Sequence, residues 1–222
     1  MTKKKYYLFQ LKSLDLNVVS ILLLVLMFLI TIVLQIPFDI SDRVFALTFA
    51  FMIPYFLLHE VLHSVSYVLN GAKFKNVTYG AHLEKGVLCC LCKQNITRRN
   101  ILISLLFPFI FIGVITYIIG VLINSPVLIL LSIMNISGCS GDLMMFLALS
   151  KLKNYEYSEY DDPTSFGLYT SEDLSKVKML GIKYVGTVDK LDRNDLKKID
   201  INIGNAIFLA IIFVLGIVLL FI

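Results

Sequence analysis

The chain has 222 residues, enough for one domain of ordinary size, and a formal net charge of only +4. Hydrophobic residues make up 58% and charged residues 16%, against roughly 45–50% and about 25% in soluble proteins. The mean hydropathy is +0.82, and so short a chain buries only about 70% of its surface on folding, which makes a soluble enzyme, a disordered protein and a nucleic-acid binder poor readings and leaves lipid as the solvent.

The chain opens with Lys3, Lys4 and Lys5, followed by residues 16–38, which are uncharged between Asp15 and Asp39. A bilayer core needs about 20 apolar residues. The run is longer than a signal-peptide core and no A-x-A-like cleavage site follows it, so a retained first span is expected. Residues 44–72 form a second candidate span, interrupted by His59, Glu60 and His63. Between 74 and 92, two short runs flank Glu84-Lys85-Gly86 and read as a β-hairpin. Residues 100–141 are uncharged for 42 positions and divide into two spans at the turn signal Asn124-Ser125-Pro126, the second running past Asp142 to Ser150. Residues 151–202 are rich in both charge signs and read as a solvated cytosolic segment, with one short amphipathic helix near 188–199. Residues 203–222 form a last uncharged span.

The expected fold is therefore an all-α polytopic membrane protein. About five transmembrane helices lie near 17–38, 44–70, 100–123, 127–150 and 203–222, and a small cytoplasmic β-hairpin joins the second and third. Residues 1–150 make up the membrane core. Basic residues concentrate in the N-terminus and in the 70–100 connection (Lys73, Lys75, Lys85, Lys93, Arg98 and Arg99). Basic loops stay in the cytoplasm, so the N-terminus, the hairpin and the 151–202 segment are expected inside, with the short connections outside. The implied location is the cell membrane, and the bilayer is the first partner.

Two acids lie within apolar spans, Glu60 and Asp142. An ionised carboxylate at the bilayer centre costs at least about 2.5–3.5 kcal/mol, so such groups normally face a cavity, a partner or an ion. Two of the three histidines in the chain flank Glu60, in the order His59-Glu60-Val61-Leu62-His63. On a helix, positions i and i+4 share a face, so both imidazoles can reach one zinc ion while Glu60 stands beside the open position as a general base. Zinc lowers the pKa of a bound water to about 7, which suits it to attack on an amide carbonyl.

A catalytic zinc usually takes three protein ligands. Asp142, Glu84, His82 and the acids of the cytosolic segment are the candidates for the third. In the topology above, His59 and Asp142 each lie 16 residues into their spans, or ~24 Å at 1.5 Å per residue. Matching depth favours Asp142, near the cytoplasmic side. The small residues Ser137-Gly138-Cys139-Ser140-Gly141 before it let helices approach closely. Asn135, two turns up the same face, is a candidate oxyanion donor or plain interhelical hydrogen bonder. His82 is a candidate substrate contact, and Cys139 a candidate soft ligand. Cys89-Cys90-x-Cys92 lacks C-x-x-C spacing and does not read as a structural zinc site.

These residues resemble the site-2-protease type of intramembrane zinc metalloprotease and, more narrowly, the "putative zincin peptidase" family of small bacterial membrane proteins. The resemblance rests on His59 to Ala72, Tyr79-Gly80-Ala81-His82, Ile136 to Asp142, and Asp161-Asp162-Pro163-Thr164 with Gly167-Leu168-Tyr169. The chain departs from site-2 proteases in having Leu143 after Asp142 and no Pro between Asn135 and Asp142. The resemblance implies hydrolysis of peptide bonds in membrane or membrane-adjacent substrates. The expected site is His59, His63 and Asp142 on Zn2+ with Glu60 as base. The rival expectation is a non-catalytic, partner-binding or immunity-type membrane subunit with a structural metal or none. A small transporter fits less well, with too few spans and no internal repeat.

Overall fold

A computed structural model describes residues 4–37, 41–82, 87–159, 164–188 and 198–199. Three helices among them are long and apolar enough to cross a membrane: α1 (Ser13–Val33), α2 (Asp42–Leu69) and the run Arg98–Leu122. A fourth crossing is available if the bent pair α5 (Pro126–Gly138) and α6 (Ser140–Ser150) counts as one. The expectation of about five spans is thus corrected to three or four among the described residues. The span expected at 203–222 lies outside them.

The all-α expectation is overturned as well. Among the described residues, eight strands form two antiparallel sheets, one of five strands and one of three. In the larger, β1 (Lys5–Leu11) lies between β6 (Ser165–Thr170) and β7 (Ile182–Val188), with β5 (Glu156–Glu159) beyond β6 and β4 (Ile96–Thr97) at the edge. The lysine-rich N-terminus and the segment after 150 are therefore one structure: Leu8 pairs with Gly167 on one side and Gly186 on the other. The flanking lysines mask an aromatic strand former, Tyr6-Tyr7-Leu8-Phe9. Of the helix expected near 188–199, Val188 ends β7 and Lys198–Ile199 form β8, while 189–197 lie outside the described residues.

The hairpin is present. Strands β2 (Val77–His82) and β3 (Val87–Cys92) pair from Val77↔Cys92 to His82↔Val87, and β8 adds to the other side of β2 at Tyr79 and Gly80.

Polar contacts and close approaches join these apolar helices, the kind of contact that holds helices together in lipid. Ser20 of α1 meets Ser137 of α5 at 2.8 Å, and Thr31 of α1 meets Tyr117 at 2.7 Å. The Arg98–Leu122 run consists of α3 (Arg98–Pro108), a π turn (Phe109–Ile115) and α4 (Thr116–Leu122). A π turn displaces carbonyls from their usual helical donors, and the buried hydroxyl of Tyr55 on α2 donates to one of them, Ile112 O. A Cβ at Gly120 would stand 3.0 Å from the Ile129 backbone nitrogen, so only glycine lets α4 lie this close to α5.

One core cluster joins both sheets to the helices. Phe9 and Leu168 of the large sheet and Tyr79 and Cys92 of the hairpin share it with Ile101 and Leu105 of α3 and Met145 and Leu149 of α6. The sheets are thus packed against the same helix ends that carry the charged residues. Phe9 is fully buried and stacks on Phe166 at 5.7 Å between ring centres. Removing such a ring typically costs 3–5 kcal/mol. Phe9→Ala is expected to lower the thermal unfolding midpoint sharply in detergent, whereas a loose N-terminal tail would tolerate the change.

Candidate metal centre

The second half of α2 presents two faces. His59 and His63, one turn apart, face α5 and α6, while Glu60 and Ser64, also one turn apart, face the hairpin. Each pair follows from i, i+4 spacing on a helix.

On the first face the three expected ligands come together. Asp142 Oδ2 lies 3.2 Å from His59 Nε2 and 3.4 Å from His63 Nε2, and the two Nε2 atoms are 3.1 Å apart. The three side chains are 11%, 9% and 18% exposed, so little water reaches them. Their other ends show what charge the cluster wants. His63 Nδ1 lies 3.0 Å from the Ser104 carbonyl oxygen, which can only accept, so Nδ1 carries the proton. His59 Nδ1 lies 2.9 Å from Asn135 Oδ1, also an acceptor. As neutral imidazoles the two rings then present both Nε2 lone pairs toward one point, with a carboxylate oxygen beside them.

Three electron-pair donors packed this closely repel one another unless something positive lies among them. A proton can join two of the three; a metal cation joins all. Ligands 2.0–2.1 Å from a tetrahedral zinc lie about 3.3 Å from each other, which matches the separations of 3.1, 3.2 and 3.4 Å here. The donor set fits zinc: two neutral imidazoles, each held by a second partner, and one carboxylate.

The polypeptide path explains how Asp142 gets there. The expected straight helix over 127–150 is instead bent by 46° at Cys139. The bend starts a new helix at Ser140, and Asp142 falls in its first turn. Backbone N–H groups at a helix start favour an anion. No proline marks this break; the run of small residues around Gly138 and Gly141 was its only sequence signal.

The cluster has a fourth neighbour. His59, Cys139 and Asp142 each offer a ligand atom within 4.8 Å of the others. Cys139 Sγ lies nearer the Nδ1 side of His59, at 3.9 Å, away from the Nε2 that faces Asp142. Asn135, the candidate oxyanion donor, is 1% exposed and is engaged on His59 and, through Nδ2, on Cys139 Sγ at 3.6 Å.

On the second face, the Glu60 carboxylate accepts the backbone N–H of Cys90 in β3. One turn further along, the Tyr79 hydroxyl of β2 donates to Ser64 Oγ at 2.7 Å. Burial pushes the Tyr79 hydroxyl up from its ordinary value and keeps it a neutral donor. The hairpin is thereby fastened beside Glu60, a placement that residue spacing alone did not show.

Among the other candidates, His82 is the last residue of β2, three beyond Tyr79, and its backbone pairs with Val87. Glu84 lies outside the described residues. Of the acids after 150, Glu156 binds Lys4 at 3.2 Å and Asn95 at 3.1 Å, within the large sheet.

Residues 52–157 match the model of a family described as "Putative zincin peptidase". The match covers just under half of the chain and contains every residue of the cluster, from His59 to Asp142. No curated protein and no solved structure matches the chain. This similarity to a zincin-like family agrees with the donor set in naming zinc.

Purified protein is expected to hold about one zinc per chain by elemental analysis after exchange into metal-free buffer. Asp142→Ala and His63→Ala should each bring the stoichiometry toward zero. Full occupancy in both variants would place the metal elsewhere.

Proposed function

We propose that the protein is a membrane-embedded zinc metallopeptidase that hydrolyses peptide bonds of membrane or membrane-adjacent substrates. The observation that carries the proposal is the meeting of His59 Nε2, His63 Nε2 and Asp142 Oδ2 within 3.4 Å, beside a second carboxylate, Glu60, that is not needed to complete the set. The similarity of residues 52–157 to a zincin family supports the same reading.

His59, His63 and Asp142 hold the ion. Bound there, zinc polarises a carbonyl and acidifies a water. The chain's own residues do the rest. Glu60 follows His59 directly, so it stands next to the cluster without pointing into it. Its carboxylate takes the proton of the attacking water and returns it to the departing amine, a role worth typically 10²–10⁴-fold in rate. The Ser104 carbonyl and Asn135 keep the imidazoles from turning.

The hairpin gives the substrate a way in. Backbone amides inside a helix are closed to attack, so a cleavable segment must be extended. The three-stranded sheet runs β3-β2-β8, which places β3 at an edge, and the amide of Cys90 on that strand already reaches Glu60. An extended peptide added along β3 would lay its backbone beside the base. A zinc site on membrane helices beside a strand-forming hairpin is the arrangement that the sequence's resemblance to site-2 proteases implies.

The test separates the base from the ligands. Glu60→Gln should keep zinc and lose at least about 10²-fold in cleavage of fluorogenic peptides by protein in proteoliposomes. His59→Ala should lose zinc and cleavage together. A Glu60→Gln protein that cleaves at the wild-type rate removes the hydrolytic role. A wild-type protein that binds zinc but cleaves nothing favours a non-catalytic subunit.

A further inference from the structure

Asn135 and Cys139 are one helical turn apart at the end of α5, and neither is a ligand in the reading above, on which the following inference rests. We propose that they form a positioning relay that selects the metal-binding tautomer of His59.

A carboxamide can present either end to an imidazole. With Oδ1 forward, His59 Nδ1 must donate, and Nε2 keeps a free electron pair toward His63 and Asp142. With the amide reversed, Nδ2–H faces Nδ1, which must then accept. The ring proton moves to Nε2, and the pair a metal needs is gone. The structure has Oδ1 forward, 2.9 Å from Nδ1. Something on the far side of the amide has to favour that orientation, because Asn135 is 1% exposed and water does not choose for it. The group there is Cys139 Sγ, 3.6 Å from Nδ2.

The sulfur also lies 3.9 Å from His59 Nδ1, whose proton is directed at Asn135 Oδ1, so the N–H that the sulfur accepts is that of Asn135 Nδ2. Reversing the amide would exchange an N–H donor facing sulfur for a carbonyl oxygen, which a thiol serves poorly because S–H is a weak donor. α5 lies close on the π turn here: a Cβ at Gly113 would stand 2.9 Å from Ile136 and 3.5 Å from Asn135 Nδ2. Cys139 orients Asn135, Asn135 Oδ1 accepts from His59 and so keeps the ring proton on Nδ1, and His59 offers Nε2 to the ion. Groups in this outer position typically account for 10–100-fold in metal affinity.

The relay predicts a specific pattern of rescue. An ionised aspartate at 135 accepts through either oxygen, so the end it presents to His59 does not depend on Cys139. Zinc affinity is measured by competition with a chromophoric chelator on the full-length protein in detergent, for wild type, Asn135→Leu, Asn135→Asp, Cys139→Ala and the Asn135→Asp/Cys139→Ala double variant. Asn135→Leu should weaken zinc about 10–100-fold, and Asn135→Asp should hold it at least as tightly as wild type. Cys139→Ala should weaken it severalfold with asparagine at 135 and have no effect with aspartate there. Equal weakening by Cys139→Ala in both backgrounds would make the cysteine a packing residue and overturn the relay, as would unchanged affinity in Asn135→Leu or in Cys139→Ala alone. Failure of wild type to bind zinc at all would instead remove the metal centre beneath both proposals.

Discussion

Two imidazole nitrogens and a carboxylate oxygen held within 3.4 Å of one another form the constraint on which the rest of the structure depends. Each Nε2 is kept as a lone-pair donor by an acceptor fixed on its own Nδ1, a backbone carbonyl in one case and a side-chain amide in the other. Such a cluster is costly in a poorly solvated site without positive charge at its centre. The protein spends other features on maintaining it: a helix bent where no proline requires it, a run of small residues, and a glycine that brings α5 against its neighbour.

Helix α2 divides the chemistry by periodicity. Two residues one turn apart aim at the ligand cluster, and two residues displaced by one position aim at the hairpin. Glu60 thereby touches both worlds, adjacent in sequence to a ligand and bonded through its carboxylate to a strand amide. The large sheet, built from the N-terminal strand and the segment after 150 with Ile96–Thr97 at its edge, packs against α3 and α6. Its role is to hold those helix ends: Leu149 and Ile101 are fully buried among its aromatic residues.

The meeting of His59, His63 and Asp142 was the most legible part of the sequence, because each of its signals has a sharp physical reason. Charges are expensive in apolar spans, so Glu60 and Asp142 stood out; i, i+4 spacing put His59 and His63 on one face; equal depth paired Asp142 with them. The architecture around it was less legible. Strand β1 sits between lysines, and its central residues Tyr7, Leu8 and Phe9 are all buried, so it lacks the alternation that marks a half-exposed strand. Strands after 150 carry Glu156 and Glu159, whose charges read as solvation. The bend at Cys139 is made by packing of small residues, which local propensity does not distinguish from a continuous helix. The pairing of Asn135 with His59 could be approached only as far as a shared helix face; which end of the amide points at the ring depends on a sulfur one turn away.

The most direct measurement is X-ray absorption at the zinc edge on the purified, detergent-solubilised protein. The account predicts a first shell of nitrogen and oxygen alone at about 2.0–2.1 Å, with the outer scattering of two imidazoles and no sulfur at about 2.3 Å. A shell dominated by sulfur, or one with no imidazole pattern, would contradict it.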